Sequence, residues 1–366
     1  YWLDDFALFM ALKVKNGFSS FDTWEKDERR RDTLSDEKIA ALQNECDFWR
    51  FLQFEFFREL TALKDYAKSK NVALIGDIPI YVAYDSADVW AHPEIFRLDK
   101  NMRPKEVAGV PPDYFSADGQ LWGNPLYDWK KQQADGFLWW HHRLLHQLQF
   151  FDKIRIDHFR AFESYYAVPY GATTAKIGRW VKGVGTKIFD GLDLDGRIIA
   201  EDLGIITDKV RRLVKRTGFP GMKVFQFAFD GKSDNEHLPE NVRYNTVYYT
   251  GTHDNDTLKG WYDAQGDGTK EYVKKTLGAT DENVFDKAFK RVMRSRAKFV
   301  IVPMQDYLLQ GSEARMNTPG TNDGNWKYVL PKNYAKVKNR IRKYVKNRCS
   351  NSAARTALLK SHHCKQ

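Results

Sequence analysis

The chain has 366 residues, 42% hydrophobic and 29% charged, proportions ordinary for a globular protein with room for one large barrel or two ordinary domains. No apolar run reaches membrane-span length and no signal peptide is visible, while Cys46, Cys349 and Cys364 are odd in number and lack metal spacing, which argues for a reducing compartment without a disulfide framework. The net charge of +10 is local: residues 331–366 carry 11 Lys or Arg and no acid, leaving 47 basic against 48 acidic side chains elsewhere, so a nucleic-acid-binding body is disfavoured and only a basic tail, solvated or polyanion-binding, remains.

Residues 1–14 read as an amphipathic helix closed by Gly17. The chain opens without Met, inside this helix, and is expected to be a piece whose N-terminal part is missing. Ser35 is an expected N-cap with Asp36 and Glu37 in the favourable first turn. Helix then continues to about Lys70, carrying Leu42, Trp49, Leu52, Phe56, Leu60 and Leu63 near helical spacing. From there the period changes. Six strands are expected: 72–82, 153–157, 197–202, 222–229, 246–254 and 298–306. Helix-length segments separate most of them, the alternation of parallel βαβ units. Residues 83–130, with Pro104, Pro111, Pro112, Gly109, Gly119 and Gly123 among many aromatics, read as a long ordered loop or small insertion of functional kind. The expected class is therefore α/β, a parallel barrel that needs eight strands, of which about six are present. The expected divisions are a helical part over 1–71, the barrel part over 72–330 and a basic helix or tail over 331–366.

Three acids end three of these strands: Asp157 in KIRID, Glu201 in RIIAED and Asp254 in YYTGTHD. A parallel barrel gathers strand C-termini at one mouth, and three carboxylates there suit glycosyl transfer with retention. Arg155 shares a strand face with Asp157, and a neighbouring cation favours the ionised carboxylate a nucleophile must be. A buried ion pair at a strand end fits the same residues. Glu201, followed by Asp202, suits a general acid if burial or other acids raise its pKa. His253 and Asp254 follow Gly251, where backbone can approach a ligand closely; a capping Asp with a satisfied His is the alternative. Asp77 repeats the pattern of apolar strand, glycine and carboxylate. The loop VAGVPPDYFSADGQLWGNPLYDW offers Asp113, Tyr114, Phe115, Trp122 and Trp129 either to a sugar cleft or to a small core. LDLDG at 192–196 lacks the further ligands of a calcium loop.

Taken together, the stretches IGDIPIYVAYDSADVW, AGVPPDYFSADGQLWGNPLY, RIDHFRAFESYYAVP, IIAEDLG, PGMKVFQFAF, YTGTHDND and GSEARMNTPG closely resemble the 4-alpha-glucanotransferases of glycoside hydrolase family 77, also called amylomaltases or disproportionating enzymes. The likeness runs from about residue 1 to 330. It implies a (β/α)8 barrel with inserted subdomains and transfer of α-1,4-glucan segments between maltooligosaccharides, amylose or glycogen, or to glucose. It further implies that Asp157 is the nucleophile, Glu201 the acid/base and Asp254 the transition-state stabiliser. Arg155, His253 and Asp77 become ligands of the reacting sugar, and Asp113, Trp122 and Asn317 further glucan contacts. No metal or organic cofactor is implied, nor a nucleic-acid or membrane partner. The setting expected is cytoplasmic, or plastidic if an upstream transit segment exists. The chain departs from the family pattern at Val184, at Leu309 and Gln310, and in its basic tail. An α-amylase-type hydrolase and a fragment that only binds glucan are the competing readings.

Overall fold

A computed structural model describes residues 1–112, 117–321, 323–346 and 348. The chain divides into two units, Tyr1–Phe219 and Pro220–Gln366.

The first unit begins with helix α1 (Leu3–Lys15), which buries Ala7, Leu8, Phe9, Ala11 and Leu12. Asp4 and Asp5 lie in its first turn and Lys13 and Lys15 in its last, each complementing the helix dipole. Ser35 caps α2 (Asp36–Ala41), accepting the Lys38 N–H at 3.3 Å. The expected single helix to Lys70 breaks at Leu42 and resumes as α3 (Gln43–Ser69). Leu42 and Trp49 pack on the core of this unit, whereas Leu52, Phe56 and Leu63 are exposed. Helical periodicity identifies the helix, not the stripe that is covered.

Strand β1 (Ile75–Ile78) leads to α4 (Ala87–Ala91) and to a hairpin of β2 (Glu106–Val110) and β3 (Gln120–Pro125). Helices α5 (Trp129–Ala134) and α6 (Leu138–Phe150) precede β4 (Lys153–Ile156). Next come β5 (Ser164–Pro169), β6 (Arg179–Lys182), β7 (Ile198–Ala200) and α7 (Asp208–Thr217). Two sheets result. One is parallel, in the order β1-β4-β7; the other is antiparallel, in the order β3-β2-β5-β6. Residues 83–130 are thus not merely a loop. Gly109, Pro125 and Asn124 hide strands that exist because β2 pairs with β5, some sixty residues on, a contact that no local pattern reveals. Nor does an α-helix separate β4 from β7; β5, β6 and short 3-10 turns fill that interval.

The second unit holds β8 (Gly221–Val224), β9 (Thr246–Tyr249), α8 (Leu258–Asp263), α9 (Asp267–Leu277), α10 (Val284–Arg294), β10 (Phe299–Ile301) and α11 (Met304–Tyr307). Its strands form a parallel sheet in the order β10-β9-β8. All six expected strands exist, but each is shorter than its apolar run. The 222–229 run stops at Val224 and turns into a 3-10 helix over Phe225–Ala228, because Phe225 enters the core built by Tyr248, Phe289 and Val292 and the Gln226 side chain donates to the Asp256 carbonyl at 2.8 Å. The 298–306 run likewise ends in α11. Beyond it the chain is helical again over 338–346. Among the described residues no helix is long and apolar enough to cross a membrane.

Candidate active site

The polar constellation of the first unit follows from strand alternation. Ile154 and Ile156 are fully buried in the core on one face of β4, with Ile78, Ile198 and Ala200 beside them. The other face therefore carries Arg155, opposite Asp77 on β1 and Ile199 on β7. One step further along the ladder stand Asp157 and Glu201, at the ends of adjacent parallel strands about 4.8 Å apart. Backbone bonds hold both: Asp157 N–H donates to Ile78 at 2.9 Å, and Glu201 N–H to Ile156 at 3.1 Å.

Arg155 organises the acids on either side. Its Nη1 donates to both oxygens of Asp77 at 2.8 and 2.7 Å, and its Nη2 to Asp157 Oδ1 at 2.7 Å. The guanidinium is buried, while the Asp77 and Asp157 side chains keep 39% and 43% of their surface open. Burial alone would weaken the protonation of Arg155; Asp157 and Asp77 overrule it and push its pKa up. Asp157 is thus held by a fixed cation yet open to a ligand.

Glu201 has the opposite environment. It is buried, and burial first, then the charge of Asp157, raise its pKa to about 7 against the lowering influence of Arg155. Its Oε2 accepts the His158 N–H at 2.8 Å and its Oε1 the Leu203 N–H at 2.7 Å. The first of these bonds depends on backbone strain. His158 adopts φ 52° and ψ 43°, a left-handed conformation that costs a non-glycine residue about 1–2 kcal/mol. The His158 ring lies edge-on to Trp122, 4.8 Å between centroids. Burial, with Arg160 adding to it, lowers the His158 pKa to about 3, so the ring is neutral. Trp122, on β3, is partly exposed and donates from Nε1 to Gln120 at 3.1 Å. Two neighbouring carboxyls thus differ in environment, Asp157 ion-paired and open, Glu201 buried with a raised pKa.

Asp254 belongs to the second unit, in the turn after β9. Gly251 opens that turn: a Cβ there would stand 2.6 Å from Gln226 Nε2. Thr252 Oγ1 and N–H both donate to Asn255 Oδ1, at 2.8 and 2.9 Å. The Asp254 carboxylate accepts Asn317 Nδ2 at 2.7 Å, and the Asp254 carbonyl accepts Arg315 Nη2 at 2.7 Å. Arg315 Nε also donates to the Asn317 carbonyl at 2.9 Å, and Asn317 N–H to the His253 carbonyl at 3.1 Å. His253 Nε2 is 3.4 Å from Asp254 Oδ2, and its ring lies 5.2 Å from that of Trp326. Beneath the turn, buried Asp306 accepts Thr250 Oγ1 at 2.5 Å and the Leu258 N–H at 2.7 Å. Burial raises the Asp306 pKa to about 6.

The residues expected from sequence thus gather in two groups. Asp77, Arg155, Asp157 and Glu201 touch one another or share a ladder, with Trp122 against His158. His253, Asp254 and Asn317 form the other. Asp113, with Tyr114 and Phe115, lies outside the described residues. Trp129, offered from sequence either to a cleft or to a small core, packs against Tyr127 and Phe162, 4.9 and 6.2 Å between centroids. Sequence reasoning missed Arg315 and the backbone role of His158. Arg315 stands two residues from Asn317 in a stretch already singled out, but its partner Asp254 is 61 residues away. A positive φ at a histidine leaves no mark in sequence.

Comparison with known proteins gives this geometry a family. The 4-alpha-glucanotransferase family model matches residues 1–333. The 4-alpha-glucanotransferase of Clostridium butyricum is 48% identical over 334 residues, covering 89% of this chain and 69% of the relative. That of Aquifex aeolicus is 44% identical over 351 residues, covering 94% and 72%. Among solved structures, the amylomaltase of Streptococcus agalactiae in complex with acarbose superposes with a TM-score of 0.88 at 34% identity, covering 94% of this chain and 71% of that one. A match of this extent leaves no competing assignment: the chain belongs to the 4-alpha-glucanotransferase family, glycoside hydrolase family 77.

Proposed function

We propose that the chain transfers α-1,4-glucan segments by double displacement, with Asp157 as nucleophile and Glu201 as acid/base. The observation that carries this is the contrast on adjacent strands: Asp157 ion-paired to Arg155 and open, Glu201 buried with a pKa of about 7. In the first step an Asp157 oxygen bonds to the anomeric carbon as the glycosidic C–O bond breaks. The Glu201 proton goes to the departing O4. In the second step Glu201, now a carboxylate, takes the proton of an incoming 4-hydroxyl, whose oxygen displaces Asp157. Two inversions give retention.

Asp254 is proposed as the group that stabilises the cationic transition state, held by Asn317 and Arg315. Asp77, Arg155 and His253 are proposed as ligands of the reacting sugar, with Asp113, Trp122 and Asn317 as further glucan contacts. Trp122, set against His158, would keep water from the covalent intermediate until an acceptor arrives. The donor class is α-glucan, in keeping with the acarbose bound by the Streptococcus relative. The fold reading that goes with this is a (β/α)8 barrel over 72–330, preceded by a helical part over 1–71 and followed by a basic segment over 331–366. The two parallel three-stranded sheets support six of its strands. A cytoplasmic setting belongs to the same reading.

Incubation with maltotriose tests the reaction. Glucose together with oligomers longer than the substrate is the expected outcome. Shortening without elongation would assign hydrolysis instead, and no change in product distribution would refute both.

A further inference from the structure

One cationic cavity of the first unit uses none of the strand-end acids. Lys209, Arg212 and Arg216 recur on α7 at i, i+3 and i+7, with Leu213 among them, and so share one helix face. Together with Lys182, at the end of β6, and the strap Gly183–Val184–Gly185, they line a cavity of about 240 Å³ whose apolar walls include Phe162 and Leu213. The strap is a built wall. Gly183 N–H donates to the Glu163 carbonyl and Gly185 N–H to that of Phe162, both at 2.7 Å. A Cβ on Gly183 would stand 2.3 Å from the Phe162 carbonyl oxygen, so only glycine permits the approach.

The charges in this cavity are not compensated. Glu163 is the one acid among its lining residues, and its Oε2 is engaged by Ser164 Oγ at 2.6 Å. Asp208, the only acid of α7, pairs with Arg211 at 3.1 Å. The side chains of Lys182, Lys209, Arg212 and Arg216 have no protein partner among the described residues. Like charges three and four residues apart on a helix repel, yet here a fourth cation joins them from another element. General basicity does not account for it, since the chain outside 331–366 is balanced in charge.

We propose that this cavity binds a phosphomonoester. Two guanidinium forks and two ammonium groups match a compact dianion with several acceptor oxygens. The volume lies below the usual range for larger organic ligands and suits a phosphate group alone or on one sugar ring, whose carbon face would meet Leu213 and Phe162. Inorganic phosphate and a hexose monophosphate supply the same recognition chemistry.

Equilibrium dialysis of the full chain at constant ionic strength, with inorganic phosphate, glucose 6-phosphate and glucose as probes, tests this. One equivalent of phosphate or glucose 6-phosphate is expected to bind, undisturbed by glucose. Equal affinity for the two assigns the phosphate group alone, and tighter glucose 6-phosphate assigns a sugar-borne ester. Arg212→Ala and Arg216→Ala, both at exposed positions, should each weaken binding by about 10-fold, while Lys215→Ala, off that helix face, should leave it unchanged. Absence of binding up to about 10 mM, displacement by glucose, or an equal loss with Lys215→Ala would overturn the proposal.

Discussion

The acids of the two units are held by different physics. Asp157 and Glu201 end strands of one parallel sheet, and their states are set by charge and burial: Arg155 pairs with one, and a dry environment raises the pKa of the other. Asp254 lies beyond its strand, in a turn, and hydrogen bonds from Asn317 and Arg315 fix its position. Strand ends suit groups whose protonation must differ, because neighbouring strands bring carboxyls within Coulomb range of one another and of a shared cation. In the turn, Asp254 is about as open as Asp157, 38% against 43% exposed, and it is aimed by donors from a second loop. The two arrangements should therefore respond to different substitutions.

Asp157→Ala should have the largest effect, lowering transfer from maltotriose by about 10⁴-fold or more, because the proposed double displacement then has no nucleophile. Activity close to that of the unaltered chain would remove the basis of the comparison. Arg315→Ala should come next, with kcat about 10- to 100-fold lower and KM little changed, as expected when a positioning group rather than a binding contact is lost. Arg315→Lys should recover part of that loss. An effect confined to KM would make Arg315 a substrate ligand and break the distinction.

The pH profile sharpens the comparison on the other side. In the proposed mechanism Glu201 must be protonated for the first step, so kcat/KM should fall as pH rises through about 7. Arg155 lowers the Glu201 pKa, so in Arg155→Gln the surviving activity should keep its alkaline limb at higher pH than the unaltered chain; a limb displaced to lower pH would contradict the charge argument. The same group affects folding. With its folded pKa above the unfolded value, Glu201 withdraws stability as pH rises from the ordinary carboxyl range to about 7. The smallest effect is expected from Thr250→Val. It leaves an oxygen of buried Asp306 without its hydroxyl donor, at a cost of about 1–3 kcal/mol readable by denaturant unfolding, with the maltotriose products unchanged.

Much of the site was legible in sequence because strand alternation is local. KIRID places Arg155 and Asp157 on one face whatever the rest of the chain does, and the abrupt change from apolar to polar marks the strand end. Glu201 carries the same mark, Asp254 lies in the turn five residues past the end of β9, and Ser35 signals its helix by capping chemistry alone. The antiparallel sheet was not legible. Its β2 and β3 contain glycine, proline and asparagine, and they pair into a sheet that β5 joins through β2 from afar. Trp129 shows the same limit, since its ring is equally suited to a cleft and to the core it joins.

Sequence by itself determined the α/β class, the six parallel strands and the identity of the strand-end acids, since each depends on residue types within a few positions of one another. Tertiary structure alone decided which acid is buried and which is open, that the His158 backbone takes a left-handed turn to meet Glu201, and that Arg315 braces Asp254. Those outcomes depend on burial and on partners tens of residues apart, and neither exists until the chain has closed on itself.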